Sequence, residues 1–241
     1  MKVFYFVAVL LVSVCGSAKA GIFDTTEWQA TVSTDNRFRG ISQTAGLPNI
    51  QLQGEWVDTT GLWLGSRVAN VSGKEYPGGP GVETDVYGGW THRFENGLRI
   101  FVGDYEYTYP GAWTAAHQSF ITNEIFLQLR AGAFTAKFYN SLTDYFGLPH
   151  SAGTHYASLD YYQPVGDKIT LVPHIGYTDF AAHPGLNYTD LKLTISYDLA
   201  PWTASIILYD NLGGREFRSY NTVGDTAVWS QAIVFSVSRN F

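Results

Sequence analysis

From Glu27 onward, apolar and polar side chains alternate one residue at a time. Between Leu191 and Tyr197, the residues Leu191, Leu193, Ile195 and Tyr197 alternate with Lys192, Thr194 and Ser196. A period of two places the two sets on opposite faces of an extended strand. The same pattern runs through Ile50–Trp56, through Ile125, Leu127 and Leu129 against Glu124, Gln128 and Arg130, and through Phe134, Ala136 and Phe138. Twelve such segments are predicted, near 27–39, 49–57, 61–71, 83–93, 98–109, 119–130, 133–145, 153–163, 168–179, 189–198, 201–210 and 226–241. An even count suits a closed antiparallel barrel whose two ends emerge on one side. Past position 20, no apolar run approaches the ~18 residues that a membrane-crossing helix needs.

The connections sort by length. Short turns at 58–60, 94–97, 131–132, 164–167 and 199–200 alternate with longer polar loops at 72–82, 110–118, 146–152, 180–188 and 211–225. That alternation is the sequence form of periplasmic turns and extracellular loops. The predicted fold class is therefore all-β, a transmembrane antiparallel up-and-down barrel of about 12 strands. Composition agrees: aromatic residues reach 16 % and charged residues only 15 %, against ~25 % charged in an ordinary soluble domain. Trp28, Trp56, Trp63, Trp90 and Trp202 fall near the short-turn ends of their strands, where an interfacial girdle belongs. Ile233, Phe235, Val237 and Phe241 form one face of a last strand that stops at Phe241. A strand of that kind resembles the signal read by the outer-membrane assembly machinery, the expected protein partner beside outer-membrane lipids.

Residues 1–20 read as a signal peptide. Met1-Lys2 is a positive start, Val3–Val14 an apolar stretch, and Ala18-Lys19-Ala20 the small-residue pattern before a cleavage after Ala20. Cys15 raises a lipoprotein alternative, against which Val14 stands where a small residue is needed. Cleavage would take Lys+Arg from 15 to 13 against 21 Asp+Glu, moving the net charge from −6 to −8, and would remove the only Cys. An acidic, Cys-free exported chain excludes thiol chemistry and Cys metal sites, and argues against nucleic acid as a partner.

Two places resist the pattern. In 98–109, Leu98, Ile100 and Val102 share a parity with Asp104 and Glu106. Turning Phe101, Tyr105, Tyr107 and Tyr109 outward would leave both acids in the lumen. Pro173 lies within a strand and predicts a bulge or local break there.

The segment Ser33-Thr34-Asp35-Asn36-Arg37-Phe38-Arg39-Gly40-Ile41-Ser42-Gln43-Thr44 resembles the opening signature of the TorF-type porins, the Gcw_chp family of proteobacterial outer-membrane proteins. Thr108-Tyr109-Pro110-Gly111, Leu142-Thr143-Asp144-Tyr145-Phe146-Gly147 and Gly153-Thr154-His155-Tyr156 continue the likeness in order. The resemblance implies a single outer-membrane barrel that passes small solutes, and carries over no catalytic residue.

With these faces, the expected pore-lining residues are Asp35, Arg37, Arg39, Glu55, Arg67, Asp85, Asp104, Glu106, Glu124, Arg130, Lys137, Asp160 and Lys192, with Glu83, Asp190 and Asp198 on the same parity. Acids outnumber bases, which favours cations weakly. Twelve strands predict a narrow bore, between the filled interior of ~8 strands and the open channel of ~16. Arg37 and Arg39 either grip an anionic ligand or bond neighbouring acids and fix the first loop. The function expected is passive diffusion of ions and small hydrophilic solutes, with a non-conducting structural or ligand-binding barrel as the alternative.

A hydrolase reading is remote. His117-Gln118-Ser119 and Asn123 have the spacing of an outer-membrane phospholipase set, but Asn123 lies about 13 Å along the strand from Ser119 at ~3.3 Å per residue, too far to orient the histidine. The remaining histidines, His92, His150, His155, His174 and His183, do not cluster, so neither metal nor cofactor is expected.

Overall fold

The computed structural model describes residues 25–241, so the predicted signal peptide, Cys15 and the cleavage point lie outside the described residues. In chain order the elements are β1 (Thr25–Ser33), β2 (Arg37–Phe38), β3 (Ile41–Ser42), β4 (Asn49–Val57), β5 (Leu62–Asn70), β6 (Val82–Arg93), β7 (Arg99–Thr108), β8 (Thr122–Ala131) and β9 (Phe134–Ser141). There follow β10 (His155–Tyr161), β11 (Gln163–Val165), β12 (Ile169–Asp179), β13 (Tyr188–Leu199), β14 (Trp202–Gly213), α1 (Arg215–Tyr220), β15 (Thr222–Val223), β16 (Thr226–Ala227) and β17 (Ala232–Asn240).

Each long strand pairs antiparallel with its neighbour in sequence, and β1 pairs with β17 from Gln29↔Asn240 to Ser33↔Ser236. The sheet closes on itself as a twelve-stranded barrel, with β10 and β11 forming one run against β12. Closure leaves no strand edge unpaired, the condition for a sheet in hydrocarbon.

The break between β10 and β11 explains Pro173. Pairing with β12 stops at Asp160↔His174 and resumes in the same register at Gln163↔Leu171. The missing N–H of Pro173 falls inside this gap, while the pairing Pro173↔Leu193 on the other side is unbroken. The expected irregularity is thus a local break without a bulge.

Cross-strand partners share a face, which fixes inside and outside. Val32, Ile50, Leu64, Val86, Ile175 and Phe235 stand outward and exposed. A continuous apolar exterior of this size is unstable in water and suits a lipid environment. Trp28, Trp56, Trp90 and Trp202 lie on that face near the short-turn end, Trp28 and Trp56 in edge contact at 5.4 Å. Trp63 departs from the expected girdle: it is opposite Gly89 and turns inward against Tyr87 and Phe126. Gly65 and Gly103 on the inner face make room for these rings, since a Cβ at Gly65 would sit 2.1 Å from the Tyr87 ring and one at Gly103 would sit 3.2 Å from the Phe126 ring.

The predicted strand 27–39 is too long. Strand β1 ends at Ser33, and residues 34–48 leave the wall. The predicted last strand, 226–241, likewise starts only at Ala232. Helix α1 and the β15–β16 hairpin occupy the last long loop.

Candidate functional site

Residues 34–48 fold inward as a plug whose centre is the hairpin β2–β3, paired Arg37↔Ser42 and Phe38↔Ile41. Its two-residue tip, Arg39-Gly40, has φ of 47° and 81°. Positive φ at both positions is the requirement of the tight turn that matches strand twist. Gly40 is also sterically required, because a Cβ there would lie 2.1 Å from Asn211 Oδ1. A knot of polar bonds holds the neck: the Asp35 carboxylate accepts from Arg37 Nε at 2.7 Å, Ser42 Oγ at 2.6 Å and Thr44 Oγ1 at 2.7 Å. Asn36 Nδ2 donates to Gln43 Oε1 at 2.9 Å.

From the tip, Arg39 reaches across the lumen. Its Nη2 and Nη1 donate to the two Glu124 carboxylate oxygens at 2.6 and 3.1 Å, and Nη1 also to the Tyr145 hydroxyl at 3.0 Å. The guanidinium lies over the rings of Tyr156 at 4.1 Å and Tyr139 at 5.0 Å. Glu124 is 0 % exposed, so this pair is out of reach of bulk water. A bidentate geometry in such a place is worth more than a surface pair and is intolerant of losing one partner. Gln43 Nε2 donates to the hydroxyl of Tyr109 at 2.8 Å and to Glu83 at 3.2 Å. Phe38 packs on Tyr107 and Phe146, at 5.2 and 5.4 Å.

The wall beside the plug carries its own networks. Arg67 Nη1 donates to Glu83 at 2.8 Å and Asp85 at 2.7 Å, and the Tyr105 hydroxyl donates to Asp85 at 3.2 Å. His174 lies between Asp160, 2.7 Å from Nδ1, and Asp190, 2.9 Å from Nε2. Lys137 is 3.9 Å from Asp160.

The expected pore-lining residues thus divide. Glu55, Arg67, Asp85, Glu124, Arg130, Lys137, Asp160 and Lys192 are on the inward face of their strands, and Asp35, Arg37 and Arg39 sit in the inserted loop. Asp104 and Glu106 do not line the lumen. Asp104 is opposite the exposed Ile125, and Glu106 opposite the exposed Val86, so both face outward on the long-loop half of β7. The reason is the pull of β6: its inward acids Asp85 and Glu83 take hydrogen bonds from Tyr105 and Tyr109, drawing the tyrosine face inside, while Asn123 Nδ2 donates to Asp104 on the outer face at 2.8 Å. Gln43, Tyr145, Tyr156, His174 and Asn211 belong to the site although the lumen list leaves them out. Gln43, Tyr145 and Tyr156 stand in the motifs that carry the family resemblance, whereas His174 read as an isolated histidine and Asn211 had no readable signal.

The plug separates two sets of cavities. Toward the short-turn end, a space of about 160 Å³ is lined by Arg37, Arg39, Lys137, His174, Asp190 and Lys192, and another of about 180 Å³ by Glu55, Gln128 and Arg130 with aromatic neighbours. Toward the long loops lies a cavity of about 200 Å³, half of whose lining residues are aromatic. His117, Ser119 and Asn123 form no triad: Ser119 Oγ accepts the Ile121 amide, and Asn123 is engaged with Asp104. Among the described residues no group of acids, histidines and cysteines could hold a metal.

In architecture the barrel is similar to the KdgM porin, with a TM-score of 0.56 and 8 % identity over 90 % of this chain and 98 % of that one. It is also similar to the NanC porin, with a TM-score of 0.53 and 9 % identity over 90 % of this chain and 99 % of that one. At such identities the likeness establishes the fold. No curated protein matches the sequence. The model of a family described as "Bacterial protein of unknown function (Gcw_chp)" matches residues 20–241, and the chain belongs to that family.

Proposed function

We propose that this protein is an outer-membrane channel for ions and small hydrophilic solutes, constricted by the hairpin that carries Arg37 and Arg39. The observation that supports it best is a closed barrel, apolar outside, whose charged interior holds cavities on both sides of a thin inserted loop. In this reading the short turns face the periplasm and the long loops the exterior. The strand ending at Phe241 is the segment offered to the assembly machinery, and the exterior belt meets outer-membrane lipid.

Charge selectivity is expected to be small. Asp104 and Glu106 leave the lumen, and Glu124, Glu83, Asp85 and Asp35 are bonded to arginines. The weak cation preference suggested by the acidic excess therefore loses much of its support. The inward bases Arg130, Lys137 and Lys192 stand near Glu55, Asp160 and Asp190 along the rest of the path. Ions crossing this path meet fields of both signs.

Purified protein in planar bilayers should give stepwise ohmic conductance, with a reversal potential near zero in a KCl gradient. Silence across reconstitution conditions would remove the channel reading, and a strong preference for either ion would remove the balanced lumen. The density of bonds around the plug favours one second reading, a sealed ligand-binding barrel. Loosening the plug would then produce conductance where the native protein shows none.

A further inference from the structure

The cavity on the long-loop side of the plug is unlike the rest of the interior. Its wall includes Tyr76, Phe120, Phe146, Phe180, Tyr188 and Tyr220, drawn from several loops and the adjoining strands. Arg37 and Arg39 line a separate space beside Phe38 and neither lines this cup. One charged residue lines it, Glu75. Its Oε1 is buried without a hydrogen-bond partner. A buried carboxylate oxygen left unpaired is costly unless a donor or cation meets it. Aromatic faces in turn attract cations through their quadrupoles, and do so most strongly when water is excluded.

We propose that this cup is a binding site for a small organic ammonium, whose charge meets Glu75 and whose alkyl groups lie against the rings. About 200 Å³ is below the ~300–1,000 Å³ typical of drug-sized ligands, which confines the occupant to a compact quaternary or tertiary amine. The site adds to the channel reading without resting on it, because occupancy requires no conduction.

Choline and its uncharged isostere 3,3-dimethylbutan-1-ol are the probes, titrated by calorimetry at pH 9, where the Glu75 carboxyl is ionised, into the full chain in a non-ionic detergent free of ammonium groups. Choline should bind saturably and at least tenfold more tightly than the isostere. The Glu75→Gln protein should keep its folded, heat-modifiable mobility on gels while binding the two probes equally. The proposal is overturned if the native protein binds neither, if it binds both alike, or if Glu75→Gln retains the preference for choline. Should Glu75→Gln not fold, the comparison of the two probes on the native protein still decides. Conductance recorded on the same sample separates failure of this site from failure of the channel reading.

Discussion

Replacing Arg39 with alanine would remove the side chain that ties the tip of the plug to Glu124 and Tyr145. The variant loses two hydrogen bonds to Glu124, one to Tyr145 and the ring contacts with Tyr139 and Tyr156, and leaves Glu124, 0 % exposed, without its counter-charge. Breaking a buried pair from one side costs about 3–5 kcal/mol, most of it the stranded charge. The ring contacts at such a site add about 0.5–2 kcal/mol. Arg39→Ala should therefore lower the unfolding free energy in micelles by about 4 kcal/mol, read from the urea midpoint at constant slope. Arg39→Ala combined with Glu124→Gln should recover part of that loss, because no charge is then left stranded. A coupling of at least about 1 kcal/mol is expected from the cycle. With its tip released, the hairpin should also yield larger conductance steps. A loss below about 1 kcal/mol, or additive effects in the cycle together with unchanged conductance, would refute the view that Arg39 pins the plug.

Other outcomes follow from the same geometry. Gly40→Ala puts a Cβ against Asn211 at a φ of 81°, and should destabilise the plug by at least about 1 kcal/mol and enlarge the conductance steps, as single-channel recording would show. Burial pushes the Glu75 carboxyl up to about 8, with Asp35 raising it further and Arg37 and the Ala45 amide opposing. The folded protein thus binds more protons than the unfolded chain between the ordinary carboxylate value of ~4.3 and about 8, so stability should fall as pH rises through that window, a slope absent in Glu75→Gln when urea midpoints are compared across pH. Asp104→Leu, on the outer face, should leave conductance unchanged and raise stability in micelles; altered selectivity would return Asp104 to the lumen. Deleting Phe241 should lower the folded fraction recovered from outer membranes, measured by heat-modifiable gel mobility.

The barrel was legible in the sequence because every strand repeats one rule, seen in Leu191–Tyr197, and because short turns alternate with long loops. Period two leaves the choice of face open, however. In β7 the tyrosines suit either a lipid-facing belt or a hydrogen-bonded lumen, and only the register against β6, with Asp85 opposite Tyr107, settles which. The plug was illegible for a different reason. Residues 35–39 continue an alternating pattern, but their partners Glu124 and Asn211 lie far along the chain, and the tip dipeptide Arg39-Gly40 is not one of the usual markers of a tight turn. Of the two readings of Arg37 and Arg39, bonding within the protein is the one their contacts support, Arg37 pairing with Asp35 and Arg39 with Glu124.

The anchoring of the plug has a consequence for the order of biogenesis. Arg37 donates to the Ser230 carbonyl, and Asn211 donates to both the Gly40 and Trp229 carbonyls. A segment made near the start of the chain is thus fastened by residues made near its end. The fastening residues arrive just before β17, the strand that closes the barrel on β1. Until residues 211–230 are made, the plug has only its earlier partners, Glu124 and Tyr145 for Arg39 and Glu83 and Tyr109 for Gln43, and its fastening is complete only when the closing strand is about to follow.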